Sequence, residues 1–89
     1  MATIRFTNRL DRHVICPQET IAGESLWQVL RSYFDTHEKV ESYVLDESGK
    51  LRTHMTIFID GMPIAERTNL NQVIDGNAVI DIFQALSGG

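Results

Sequence analysis

One clear helical stripe, set between alternating segments, limits what this chain can fold into. Leu26, Val29, Leu30, Tyr33 and Phe34 recur at intervals of three and four, and Ser25 precedes Gln28 with capping-box spacing. An amphipathic helix is predicted from residue 25 to about 37. Trp27 falls at the border of the stripe and is expected to pack at the edge of a core. A lone helix can bury its apolar face only against a sheet, so the fold class is α+β with two layers.

Strands are read from period-two alternation. In "ATIRFT", Ile4 and Phe6 point one way while Thr3, Arg5 and Thr7 point the other. "NRLDR" supplies a turn, and "HVICP" is a plausible second strand that Pro17, with no amide hydrogen, would end or hold at an edge. These two segments should form an N-terminal hairpin. Further on, "THMTIFID" places Met55, Ile57 and Ile59 on one face, with His54, Thr56, Phe58 and Asp60 on the other. Asp60-Gly61 is a strong hairpin signal, and a short strand around Met62 to Ile64 should follow. "TNLNQV" reads as a single helical turn, "IDGN" as a tight turn and "AVIDIFQ" as the last strand. "VESYVL" is ambiguous by period, and "DESGK" is a turn.

The helix offers the crossover that would let the first and last strands pair in parallel at the centre of the sheet. That is the β-grasp, or ubiquitin-like, arrangement. Other small α+β topologies share the same element order.

Composition narrows the function. Eighty-nine residues, 43% hydrophobic, suit one small domain. The formal net charge is −4, and Arg5, Arg9, Arg12, Arg31, Lys39, Lys50, Arg52 and Arg67 are scattered, so no cluster could neutralise a row of phosphates. Nucleic acid is therefore not an expected partner. No signal-peptide pattern and no stretch near the roughly 20 apolar residues of a membrane span is present, so a cytoplasmic protein with no membrane partner is expected. Cys16, the single cysteine, is expected to be a core or edge-strand thiol.

No motif for autonomous catalysis appears. Phosphate-binding glycine loops and HExxH are absent. His13, His37 and His54 lack ligand spacing and are expected to be surface residues, with no metal site. Ser25 is a cap, and the carboxylates of Glu38, Glu41, Asp46 and Glu47 sit in polar segments where solvated charge is the ordinary outcome.

Two features remain. In the last strand Ile80 and Ile82 should face inward, which leaves Phe83 beside Asp81 on the outer face. Phe58 shares that face if the two strands are neighbours, and the pair would anchor a partner or cover a small secondary core. The chain then closes with "QALSGG", whose two glycines favour a mobile tail.

From "THMTIFIDG" through "TNLNQVIDGNAVIDIFQALSGG" the sequence resembles the C-terminal half of MoaD/ThiS-type sulfur-carrier proteins, and the N-terminal strand and helix fit the same plan. The resemblance implies a β-grasp domain over residues 1–84, a mixed sheet of four to five strands with one main helix across one face, and a flexible Gly-Gly tail over residues 85–89. It implies that the Gly89 carboxylate is adenylated with ATP by a ubiquitin-activating-type enzyme, that a persulfide donor then leaves a thiocarboxylate, and that sulfur passes to an acceptor biosynthetic enzyme. Ser87 and Gly88 would keep the tail slender, and Phe83, with Phe58 and Leu86, would form the partner-binding surface. On this reading the chain is a protein co-substrate, with no bound cofactor, and not an enzyme.

Asn77 departs from the commoner aspartate of the family's turn, and "QALSGG" lacks the proline-rich approach to the glycines, which weakens a molybdopterin assignment. The longer stretch "VESYVLDESGKLRTH" is more like carriers serving cysteine or related sulfur-metabolite synthesis than the compact thiazole carriers. Two alternatives stand beside the carrier: a modifier joined to target lysines through Gly89, and a non-covalent interaction module that binds through the Phe58 and Phe83 face.

Overall fold

The computed structural model describes residues 1–6 and 17–84. Among the described residues five strands form one mixed sheet in the order β2-β1-β5-β3-β4. β1 (Ala2–Phe6) and β5 (Val79–Gln84) run parallel at its centre, with Ile4 opposite Ile80 and Arg5 opposite Asp81. β5 also pairs antiparallel with β3 (Met55–Ile59), Ile57 opposite Ile82. This is the β-grasp.

The predicted helix is α1, Leu26–Thr36. Ser25 Oγ accepts the amide of Gln28 at 3.2 Å, and Gln28 Oε1 accepts the amide of Glu24 at 2.8 Å, so the cap satisfies donors the helix cannot. Leu26, Val29, Leu30, Tyr33 and Phe34 are fully buried against Ile4, Met55, Ile57, Ile80 and Ile82 of the sheet. Trp27 packs half-buried at the edge of this cluster, and the Arg31 guanidinium lies 5.7 Å from its ring centre.

The structure goes beyond the sequence reading at three points. The described strand paired antiparallel with β1 is β2, Glu19–Ile21; the strand expected in "HVICP" falls on residues 13–16, Cys16 and His13 included, which lie outside the described residues. Pro17 cannot donate to a ladder, and the pairing begins two residues after it. "VESYVL" resolves as part of a second helix, α2 (Glu38–Val44), in which Val40 and Val44 turn into the core.

"TNLNQV" forms no helical turn. The amide of Leu26 donates to the Gln72 carbonyl at 2.8 Å and the amide of Ile74 to that of Glu24 at 3.1 Å, so this backbone is extended against the entry to α1. Asn69 Oδ1 takes the amide of Asn71 at 3.2 Å, a local bond that competes with helix formation. Leu70 and Ile74 are buried while Val73 is exposed.

The β3–β4 turn shows why Asp60-Gly61 is needed. Asp60 has φ 51° and Gly61 has φ 84°, the left-handed pair of a tight hairpin, and β4 (Met62–Pro63) follows at once.

Candidate functional site

Strand alternation builds the outer face. With Ile80 and Ile82 committed to the core, Asp81 and Phe83 must point away from α1, and with Met55, Ile57 and Ile59 buried, Thr56 and Phe58 do the same. The register sets Phe58 opposite Asp81 and Thr56 opposite Phe83. Phe58 and Phe83 are thus diagonal neighbours. Their rings stack with centroids 5.0 Å apart and planes 29° from parallel, and both are half-buried.

Asp81 has a second partner that sequence reasoning missed. Arg5 Nε donates to Oδ1 at 2.6 Å and Nη2 to Oδ2 at 2.9 Å. The hydrogen bond with Asp81, and then its charge, hold the Arg5 guanidinium above its usual range. The sequence placed Arg5 and Asp81 on the outward side of two strands expected to pair, but that they face each other follows only from the register.

Of the residues expected to form the site, Phe58 and Phe83 meet on this face; Leu86, Ser87, Gly88 and Gly89 lie outside the described residues. β5 ends at Gln84 opposite Met55. At that end Arg67 Nη2 donates to the carbonyls of Met55, at 2.5 Å, and Arg52, at 2.6 Å, which fixes the loop beside the root of the tail.

The other polar groups serve the fold. Glu41 receives both Nη atoms of Arg31, at 2.6 and 3.1 Å, and this bond holds its carboxyl below the usual value. Asp46 Oδ1 accepts the amides of Ser48 and Lys50 at 2.8 and 3.0 Å, and the Lys50 amide contributes most to lowering its pKa. A cleft of about 270 Å³ beside these two carboxylates is lined by Glu38 and Glu47 as well, and the two acids within it that have partners, Glu41 and Asp46, use them to hold the fold. His37, expected as a solvated residue, instead contacts Glu19 and lies 4.4 Å from the Tyr33 ring centre, while His54 is exposed. Among the described residues no three His, Cys, Asp or Glu side chains gather as metal ligands, and no helix is long and apolar enough to cross a membrane.

The fold and this face define a small ubiquitin-like β-grasp protein. No protein-family model matches the sequence, and no curated protein matches it. Solved structures do. CysO, in the Amycolatopsis orientalis BexX/CysO complex, aligns over 100% of both chains with a TM-score of 0.82 and 14% identity. Small archaeal modifier protein 1 from Methanosarcina acetivorans aligns over 99% of this chain and 95% of its own, with a TM-score of 0.77 and 22% identity. Sulfolobus solfataricus Urm1 covers 92% of this chain and 97% of its own, with a TM-score of 0.67 and 21% identity. These neighbours are ubiquitin-like proteins of the MoaD/ThiS type. At such identities what they share with this chain is the fold.

Proposed function

We propose that the protein is a sulfur carrier. An ATP-dependent adenylating enzyme activates the Gly89 carboxylate, a persulfide supplies sulfur, and the resulting thiocarboxylate serves an acceptor enzyme of molybdopterin, cysteine or related sulfur-metabolite synthesis in the cytoplasm. The observation that carries this reading is the placement of β5: the central strand of a β-grasp sheet ends beside the Phe58–Phe83 stack, and "ALSGG" follows it directly.

The chemistry follows from the terminus. An ionised carboxylate resists nucleophiles, so its oxygen first attacks the α-phosphorus of ATP and expels pyrophosphate. The terminal sulfur of the persulfide then attacks the acyl carbon, AMP leaves, and a thiol cleaves the new S–S bond to give the thiocarboxylate and a disulfide. Residues 1–84 act as the docked body. Residues 87–89 span at most roughly 10 Å when extended, enough to enter a channel while Phe58, Phe83 and Leu86 stay at its mouth. The CysO neighbour, solved in complex with BexX, supports a docked protein partner.

A second reading is favoured by the small archaeal modifier proteins among the neighbours: the same activated glycine joined to a lysine of a target. Intact-mass measurement after incubation with ATP, activating enzyme and persulfide separates the two. A gain of about 16 Da on Gly89, distinct from oxidised Met or Cys16, marks the carrier. Lysine-linked adducts without that gain mark the modifier.

A further inference from the structure

Across the outer face runs a row of four residues on four adjacent strands: Arg5 on β1, Asp81 on β5, Phe58 on β3 and Pro63 on β4. At a strand spacing of about 4.8 Å the row is roughly 14 Å long, with charge at one end and apolar surface at the other. The Phe58–Phe83 stack lies at its apolar half.

The charged half is unusual for this molecule. Twelve acidic residues against eight basic ones give the chain its net charge of −4, yet Asp81 is the one carboxylate among the outward strand positions described, and both its oxygens are taken by Arg5. The Asp81 side chain is 21% exposed and that of Arg5 49%. Arg5 approaches through Nε and Nη2, so Nη1 and the outer hydrogen of Nη2 point away from Asp81 with no acceptor among the described residues. Any surface that covers the aromatic stack brings those donors close to burial. Leaving them unmatched is costly, and an ionised acceptor meets them best.

We propose that the protein docked on this face, the activating enzyme of the sulfur-carrier reading on which this inference rests, carries a carboxylate that Arg5 binds at the edge of an apolar contact with Phe58 and Phe83. Asp81 is a positioning residue: it holds the guanidinium flat and fixes which edge it presents. Arg5 is the one cation among the outward strand positions described, so a partner carboxylate finds its match on this face in a single register. Arg5 thereby sets partner choice and orientation, while the aromatics supply contact area.

The test is ATP–pyrophosphate exchange with the activating enzyme that adenylates this chain, measured at about 50 and about 300 mM salt, where exposed charge contacts are weakly and strongly screened. Arg5→Glu should raise KM for the chain about tenfold or more with kcat within about twofold, and Arg5→Gln should raise it less and flatten its salt dependence. The exchanged pair Arg5→Glu/Asp81→Arg keeps an ion pair between β1 and β5 but moves the cation by one strand; it should melt like the wild type and still show the raised KM. A wild-type KM in Arg5→Glu or in the exchanged pair, or an unaltered salt dependence in Arg5→Gln, overturns the proposal while leaving the carrier reading intact. Failure of the wild-type chain to be adenylated at all overturns both.

Discussion

Phe58 and Phe83 stack at 5.0 Å on the face of the sheet opposite α1, outside the buried cluster that holds the fold together. Their contribution to stability is accordingly limited. Phe83→Ala should cost about 1–2 kcal/mol, the stacking interaction plus partial burial. Ile57→Ala, at a position with no exposure, should cost about 2–5 kcal/mol. In urea unfolding the double variant Phe58→Ala/Phe83→Ala should lose less than the sum of the single losses, because one stack is removed once. Additive losses would show that the rings do not interact in solution.

Two glycines should fail for different reasons. Gly61 has φ 84° and open space around its missing Cβ, so Gly61→Ala meets only backbone strain, about 1–2 kcal/mol. A Cβ at Gly23 would lie 2.8 Å from Val29 Cγ2, and the β-branched Val29 on α1 has little freedom to retreat. Gly23→Ala should cost about 1–3 kcal/mol, and trimming the obstacle in Gly23→Ala/Val29→Ala should recover part of the cost of the first change. Thermal melts of the three variants distinguish strain from collision. A double variant that melts as if the losses simply added would remove the steric explanation.

The parts of the fold legible in the sequence were those where a single period ran unopposed. The stripe through Leu26, Val29, Leu30, Tyr33 and Phe34 marked the helix, and the alternation at Met55, Ile57, Ile59, Ile80 and Ile82 marked the central strands, because in each the apolar face has one burial site to occupy. Segments of weak or mixed pattern were less readable. Val40 and Val44 fit a helix only once the edge of the core is in place to receive them. In residues 68–73 a helical spacing was overridden by two backbone hydrogen bonds to the entry of α1, which no local pattern encodes. Phe58 and Phe83 could be placed on one face from period two alone. The Arg5–Asp81 pair needed the register of strands 76 positions apart.

Acid should weaken the fold through Glu41 and Asp46. The Arg31 bond, above all, lowers the folded-state pKa of Glu41 below 4.5, and amide bonds lower that of Asp46 below 3.8. A depressed carboxylate stabilises the folded state above its unfolded value and loses that contribution as pH falls through the folded value. The wild type should therefore be more stable than Glu41→Gln at pH 7, with the gap closing below about pH 4. Because the Arg31 and Glu41 side chains are 37% and 35% exposed, the gap should stay under about 1 kcal/mol and shrink with salt. A gap that widens on acidification would mean that Glu41 is held by something other than its ionised bond to Arg31.

Removing Gly88 and Gly89 should separate docking from chemistry. The described strand ladder ends at Gln84 and the described core at Ile82, so the shortened chain should melt within about 0.5 kcal/mol of the full one. It should gain no sulfur. It should nevertheless inhibit adenylation of the full chain, with an inhibition constant near the KM of the intact protein, because Arg5, Phe58 and Phe83 are retained. Adding Phe83→Ala to the shortened chain should weaken that inhibition about tenfold or more, the effect of losing one central aromatic anchor. A shortened chain that folds but does not compete would place most of the recognition in the tail itself, and the outer face would then be a covering for the sheet and not a docking surface.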